Sequence, residues 1–176
     1  MDMDTKKETF EYLLTQLLKW GNEITPPVSP YSFTRLKALK LLFFAAAVKN
    51  EDGIDLLDIF NNFYALPNGP VESDIYNYIT SDQLSYYTFK NFSFNMKNQY
   101  SDKVIDDELK QRINTAVASL RSKNMFLVAY SAERLVLLSH IWQSWQDANQ
   151  IAKALGKGSY HMDVNHIRIN NQIFAL

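Results

Sequence analysis

The sequence contains no cysteine, and this absence excludes several kinds of structure and chemistry. Disulfide bonds, thiol nucleophiles and thiolate metal sites all require that residue. A chain without cysteine is compatible with a reducing compartment, and we expect a cytoplasmic protein. The N-terminal residues carry mixed charge without an apolar run, so we do not expect a signal peptide.

Long apolar runs and a strong net charge are also absent. The longest apolar run is the eight residues Leu41–Val48, which is too short to span a bilayer, so no membrane partner is expected. The formal net charge is −1, so no overall field attracts a polyanion, and nucleic acid is not an expected partner. The alternative is a DNA contact through Arg35, Lys37 and Lys40 in one predicted helix. Three cations without a wider basic surface would hold phosphates weakly.

Recognisable catalytic motifs are the third absence. The sequence has no Gly-x-Ser-x-Gly elbow, no Walker motif and no Gly-x-Gly-x-x-Gly loop. Gly156–Ser159 resembles a phosphate loop only in part, because it lacks the leading glycine spacing and a preceding strand. We interpret it as a helix stop. The chain is therefore predicted not to be an enzyme and to need no cofactor or metal.

Two groups of ionisable residues leave a weaker alternative open. His161 and His166 flank Asp163, but their spacing is not that of a known zinc motif, and structural roles are the better interpretation. Asp55 and Asp58 share a predicted helix face, where such pairs are usually solvated. A small hydrolase with a carboxylate–histidine site is a third hypothesis, beside the two binding functions described below.

The sequence does contain enough apolar residues to build one domain. It has 176 residues, of which 47% are apolar and 21% charged, as in ordinary globular proteins. We predict a mainly α fold for residues 1–176, a helical bundle around a buried central helix. Helical spacing and capping predict helices from Thr5 to Gly21, from Ser32 or Thr34 to about Lys49, from Ile54 to Tyr64, from Pro70 onward, from Asp106 or Asp107 to Leu120, from Ser131 to Leu155, and from Asp163 to Phe174.

The fourteen residues Phe63–Tyr76 carry the strongest local signal. Pro67, Asn68 and Gly69 predict a turn, because proline fixes φ and asparagine and glycine tolerate positive φ. Pro70 suits the first position of a helix, where a missing N–H costs nothing. Val71 then continues at four-residue spacing into Ile75 and Ile79, which predicts one apolar helix face.

Aromatic residues are abundant between this turn and the next helix. Phenylalanine and methionine alternate with polar residues near residues 92–96, which predicts a small β element within residues 86–97. These rings either pack over the core or form an interaction surface, since tyrosine and phenylalanine are enriched at interface centres. The rings are Tyr86, Tyr87, Phe89, Phe92, Phe94 and Tyr100.

Three ordered motifs together resemble the Panacea domain, also called the SocA-like antitoxin-associated domain. Lys40–Ala45 is similar to that family's Lys-Leu-Leu-Tyr-Tyr-Ala helix, with phenylalanines in place of both tyrosines. Asn68–Val71, followed by Tyr76, is similar to its Gly-Pro-Val…Tyr signature. Leu135–His140, followed by Trp145 and Ala148, is similar to its Leu-x-x-Leu-[Ser/Thr]-His…Trp-x-x-Ala pattern. The resemblance covers about residues 34–174.

The resemblance implies an antitoxin of bacterial or phage origin that neutralises a cognate toxin protein by direct contact. An adaptor that presents a client protein to a protease is the alternative. No catalytic residues are implied. The residues expected to contact the partner are Asn68, Tyr76, Tyr86, Tyr87 and Phe89, and those expected to maintain the fold are Lys40, Gly69, Pro70, Val71, His140 and Trp145.

Overall fold

The structure is a computed structural model that describes residues 3–24, 33–90, 93–101, 105–169 and 172–175. It is mainly helical, as predicted, and contains a three-stranded and a two-stranded antiparallel sheet, of which the two-stranded one lies in the predicted β region. The helices are α1 (Met3–Ile24), α2 (Arg35–Ala47), α3 (Ser73–Thr80), α4 (Asp107–Lys123), α5 (Ala132–His140), α6 (Gln143–Ala154) and α7 (Val164–Ile169), with a 3₁₀ turn at Leu127–Ala129. The strands are β1 (Phe63–Leu66), β2 (Gly69–Glu72), β3 (Tyr87–Lys90), β4 (Ser93–Met96) and β5 (Tyr160–His161).

Helix α2 lies among the other elements and is buried along most of its length. Eleven of its thirteen residues are buried, as its apolar composition on every side predicts. It begins after Thr34, whose hydroxyl oxygen accepts a hydrogen bond from the Lys37 backbone N–H at 3.2 Å, and this confirms one of the two predicted starts. It packs against β2, α4 and α5.

Helix α1 is longer than predicted at both ends. It already contains Thr5, which we expected as its cap, and it passes through Gly21 to Ile24. Gly21 is buried beside Trp20, whose indole Nε1 donates to the Met125 carbonyl at 3.2 Å. Tertiary packing therefore outweighs the poor helix propensity of glycine at this position.

The segment around the predicted turn is a β-hairpin, and this corrects two helix predictions. Residues Ile54–Tyr64 do not form the third helix, and Gly69–Glu72 forms a strand instead of the first turn of the fourth. Strand β1 pairs with β2 and β5, and its side chains alternate between buried and half-buried, as expected for a strand. Strand β2 lies at the edge of this sheet, where a proline is tolerated because alternate backbone N–H groups point away from the neighbouring strand.

The turn of this hairpin uses glycine where the backbone needs it. Leu66 pairs with Gly69, and Gly69 has φ of +91°. Among the described residues, Asp82 alone has positive φ without being glycine, so Asn68 does not take the left-handed conformation that its type tolerates. A type I turn followed by a left-handed glycine fits these observations. Helix α3 then begins at Ser73, with the Glu72 carboxylate accepting a hydrogen bond from the Ile75 N–H at 2.9 Å.

The predicted β element near residues 86–97 is confirmed as the antiparallel pair β3–β4. The predicted start of α4 after Asp106 is confirmed as well, and so is the cap at Ser131. The single helix expected from Ser131 to Leu155 is instead broken between α5 and α6. The break places Trp142 in the core, with its Nε1 donating to the Ile173 carbonyl at 2.9 Å.

Within the described ranges, no helix is both long and apolar enough to cross a bilayer. Most of the buried apolar side chains belong to one contiguous core that joins the helices to both hairpins. That core fixes the position of the β1–β2 hairpin, which forms one wall of the candidate site.

Candidate functional site

A groove of about 770 Å³ lies beside the β1–β2 hairpin. Its walls come from the N-terminal part of α2, the first turn of α5, the hairpin, α3 and β3, so five separate segments build it. We call it the hairpin groove. Most of its lining is apolar, and the apolar residues are Leu36, Leu39, Leu66, Pro67, Val71, Tyr76, Phe89 and Ala132.

A few polar groups lie along the rim of the hairpin groove. Arg35 is exposed at the first position of α2, and its guanidinium carbon lies 5.5 Å from the centre of the Tyr76 ring. Asn68 is exposed at the hairpin turn, and Glu133 is exposed in the first turn of α5. The backbone N–H of Glu133 and then the Ser131 hydroxyl hold the pKa of the Glu133 carboxyl below its usual value. This carboxylate is therefore charged at neutral pH.

Behind the groove, a fully buried lysine holds the hairpin to α2. Lys40 is 0% exposed, and its Nζ donates to the Pro70 carbonyl at 2.6 Å. Burial lowers the pKa of Lys40 to about 7, because a charged amine is poorly solvated there. The lysine therefore acts as a buried hydrogen-bond donor whose charge is easily lost.

Gly69 allows the close approach of the hairpin to α2 and α5. A Cβ atom at this position would lie 2.3 Å from Ser139 Oγ and 3.1 Å from Lys40 Nζ. Ser139 is buried and donates to the Val136 carbonyl at 2.8 Å. Glycine is therefore required both by the backbone conformation and by the space available.

A stacked pair of rings fixes the other end of the hairpin. The rings of His140 and Trp145 lie 3.8 Å apart at an interplanar angle of 10°. Trp145 Nε1 donates to the Leu66 carbonyl at 3.0 Å. Burial, and then the charge of Lys40, lower the pKa of His140, so the ring is predominantly neutral at pH 7. The six residues expected to maintain the fold therefore belong to the hairpin or to the elements packed behind it.

Three of the five predicted partner contacts lie together in the groove. Asn68, Tyr76 and Phe89 all line it, although they come from three different elements. Tyr87 does not belong to this surface, since it is 2% exposed and its hydroxyl lies 2.6 Å from Thr15 Oγ1.

Tyr86 also lies outside the groove lining. Its ring is half-buried and packs against Tyr100, with ring centres 4.8 Å apart. Its backbone N–H donates to the Glu11 carboxylate at 2.7 Å. Burial raises the pKa of Glu11, and that residue fastens the start of the β3–β4 hairpin to α1. The predicted aromatic surface is therefore divided between the core and the groove.

The cluster of three cations on α2 does not form a surface for phosphates. Lys37 is 3% exposed and Lys40 is fully buried, which leaves Arg35 as the exposed member. Lys37 Nζ lies 5.7 Å from the centre of the Phe33 ring, and burial lowers its pKa. The three side chains therefore cannot make the DNA contact that their spacing left open.

Asp55 and Asp58 have different environments, which corrects the prediction of a solvated pair. Asp55 is 8% exposed and accepts hydrogen bonds from Arg168 Nε at 2.9 Å and from its Nη2 at 3.2 Å. The Asp58 side chain is 56% exposed and is paired with Arg112. These contacts connect the segment after α2 to α4 and α7.

The histidines belong to no metal-binding group in the described part of the chain. His161 is exposed, with its ring edge-on to Tyr64, and His166 Nε2 lies 3.4 Å from Asp147 Oδ2. Among the described residues, no group of three or more histidine, aspartate or glutamate side chains could hold a metal ion.

The sequence reasoning missed one buried ion pair. Lys6 is 5% exposed and forms ion pairs with Glu72 and Asp74, the latter at 2.5 Å. Glu72 is 0% exposed, and burial raises its pKa against the opposing effect of Lys6. A signal was present, because Lys6 precedes Phe10 by four residues and therefore continues the buried stripe of α1.

The chain matches no protein-family model, no curated protein and no solved structure. The Panacea-like motifs therefore remain a predicted resemblance. The function proposed below depends on the groove and on the contacts that hold its walls.

Proposed function

We propose that this chain is a cytoplasmic antitoxin-type interaction protein that neutralises a cognate toxin by direct contact through the hairpin groove. One observation carries this proposal. Asn68, Tyr76 and Phe89, expected as partner contacts from three separate parts of the sequence, line a single groove.

The composition of the groove suits a protein partner. Interfaces are enriched in aromatic side chains at their centres and have polar rims. Tyr76 and Phe89 are half-buried within the groove, and Asn68 lies exposed at its edge. A partner side chain packed against these rings would remove apolar surface from water and gain a polar contact at the rim.

The hairpin wall is also fixed before any partner arrives. Lys40 holds the Pro70 carbonyl and Trp145 holds the Leu66 carbonyl. In the proposed arrangement α2 is the buried central helix against which this wall is placed. A prearranged surface loses little conformational entropy on binding, so more of the contact energy contributes to affinity.

The proposed mechanism is masking of the toxin. A groove of this size can accept one protruding segment of the partner, and the surrounding surface would cover the toxin's functional site or trap an inactive conformation. No covalent bond is made or broken, so inhibition should be stoichiometric and reversible.

The test is co-expression with the product of the adjacent gene. We expect that gene alone to arrest growth, and the intact chain to restore growth and to copurify with its product at a fixed stoichiometry. Tyr76→Ala should weaken binding by about tenfold or more, as truncation of a central interface aromatic does. Phe126→Ala, which removes an aromatic side chain 55% exposed outside the groove lining, is the matched control.

Two outcomes would oppose the proposal. A harmless neighbouring gene product with no copurifying complex would overturn it. Restored growth that requires degradation of the toxin, seen as toxin turnover only when this chain and a protease are both present, would instead support an adaptor.

A further inference from the structure

Arg35 has an environment that the stability of the fold does not explain. It is the first residue of α2, and the first turn of that helix contains no acidic residue. A cation at a helix N-terminus faces the positive end of the helix dipole, which is unfavourable. In the described part of the chain, no carboxylate lies within ion-pair distance of Arg35. No carboxylate of the described residues therefore compensates this charge at the rim of the apolar groove.

The contact with Tyr76 prepares Arg35 to bind an anion. At 5.5 Å from the ring centre the guanidinium makes a cation–π contact with Tyr76, and this contact uses none of its N–H groups as donors to an oxygen acceptor. These donors match the two oxygens of a carboxylate, which arginine binds in a bidentate manner. Glu133 lies in the first turn of α5 and gives the groove a second rim charge of opposite sign.

We propose that the toxin segment occupying the hairpin groove combines an apolar side chain with a carboxylate that pairs with Arg35. This inference depends on the proposed antitoxin function. The apolar side chain lies against Leu36, Leu39 and Phe89, and the carboxylate lies at the α2 end of the groove. A second acidic group near Glu133 would be repelled, so the charges also set the direction in which the segment lies.

Binding should strengthen the Arg35 ion pair beyond that of an ordinary surface pair. Exposed pairs contribute little, because water and salt screen them. A partner that fills the groove would remove water from Arg35 and Tyr76 together, and a desolvated pair of this kind affects affinity more strongly.

The experiment measures the dissociation constant between this chain and the purified product of the adjacent gene. Arg35→Gln is expected to weaken binding about tenfold, and Arg35→Glu about a hundredfold, since the first removes the pair and the second replaces it with repulsion. The Arg35→Glu effect should shrink as salt is raised. Thermal unfolding should be unchanged or slightly improved, because glutamate suits the first turn of a helix.

Arg134→Glu is the matched control for this series. Arg134 is also exposed, and its guanidinium lies 3.8 Å from the centre of the Tyr130 ring, but it is not part of the groove lining. Its substitution should change the dissociation constant by less than about twofold, because no desolvated partner charge is expected there. In a second arm, each toxin aspartate or glutamate is changed to lysine, and one of these changes should restore binding to Arg35→Glu.

The possible failures are distinguishable. If Arg35→Glu binds like the intact chain while Tyr76→Ala binds weakly, the carboxylate inference is wrong and the antitoxin proposal stands. If no toxin lysine variant restores binding to Arg35→Glu, the paired carboxylate is likewise refuted. If the intact chain does not bind the neighbouring product at all, both proposals are overturned.

Discussion

Two glycines with positive φ separate the cost of backbone strain from the cost of crowding. Gly69 has φ of +91° and a close neighbour at Ser139, whereas Gly53 has φ of +77° and no atom within 4 Å of an added Cβ. Gly53→Ala should lower the free energy of unfolding by about 1–2 kcal/mol, the cost of a left-handed residue with a side chain. Gly69→Ala should lose that amount and about 1–3 kcal/mol more, because overpacking displaces its neighbours.

The source of the additional loss can be tested with a double-mutant cycle. Ser139→Ala alone removes a hydrogen bond to a helix carbonyl and should cost about 1 kcal/mol or less. In Gly69→Ala/Ser139→Ala, the atom 2.3 Å from the new Cβ is absent. The two substitutions should therefore be non-additive, with a favourable coupling of about 1 kcal/mol or more.

The assay is urea unfolding, monitored by tryptophan fluorescence and circular dichroism. The dependence of the unfolding free energy on urea concentration should have the same slope in all variants. If Gly69→Ala and Gly53→Ala lose the same free energy of unfolding, crowding at Gly69 is refuted. If the two substitutions are additive, Ser139 Oγ is not the atom that clashes with the Cβ added at position 69.

The remaining predictions concern the buried contacts behind the groove. The unfolded chain keeps the Lys40 proton up to a pH near 10.5, the ordinary pKa of a lysine, whereas the folded chain loses it at a pH of about 7. The folded state therefore binds fewer protons between these two values, and stability rises with pH. The free energy of unfolding of the intact chain should therefore rise by about 2 kcal/mol relative to Lys40→Met from pH 7.5 to 9, and parallel pH curves would contradict this. Lys6→Met leaves the Glu72 carboxylate buried without its cation and should lower the free energy of unfolding in urea by about 3–5 kcal/mol. The double variant Lys6→Met/Glu72→Gln should lose less than the sum of the two single losses. A loss below about 1 kcal/mol for Lys6→Met would contradict the ion pair. Trp145→Phe removes the hydrogen bond to β1 and should lower the free energy of unfolding by about 1 kcal/mol. Amide hydrogen exchange in the β1–β2 hairpin should become faster, and unchanged exchange would contradict the role of Trp145 in holding the hairpin.

Local chemistry explains which parts of the fold could be predicted. Thr34, Asp106 and Ser131 all cap helices in the structure, and each side chain accepts a hydrogen bond from an N–H three residues later. That interaction depends on only four consecutive residues, so the sequence contains all the information needed. A β element near residues 86–97 was predictable for the same reason, because alternation of polar and apolar residues is a local signal, whereas the pairing of β3 with β4 was not predicted.

The errors arise where distant parts of the chain decide the structure. β1 and β2 have four residues each, which is too short for periodicity to distinguish a strand from a helix start. Pro70 suits both an edge strand and a first helical turn, and its buried contact with Lys40 shows which one forms. The break between α5 and α6 has a comparable cause, because the burial of Trp142 depends on a carbonyl thirty-one residues away.

The groove itself could not be predicted as a unit, since five segments meet there. The sequence supported Asn68 and Tyr76 through the resemblance and Phe89 through its place in an aromatic run. The sequence places Arg35 in a basic cluster with Lys37 and Lys40. Its separation from Lys37 and Lys40 depends on which face of α2 is buried, and a helix that is apolar on every side leaves that undetermined.

The contacts that hold the hairpin and the surface that would bind a partner lie in neighbouring parts of the same strands. The Leu66 carbonyl is held by Trp145 while the Leu66 side chain lines the groove, and Val71 lines the groove next to the Pro70 carbonyl that Lys40 holds. Substitutions behind the wall should therefore lower stability and affinity together. Those at Arg35 should lower affinity with stability unchanged, because an exposed side chain contributes little to the fold. Measuring both quantities for each variant would distinguish residues that build the groove from residues that bind in it.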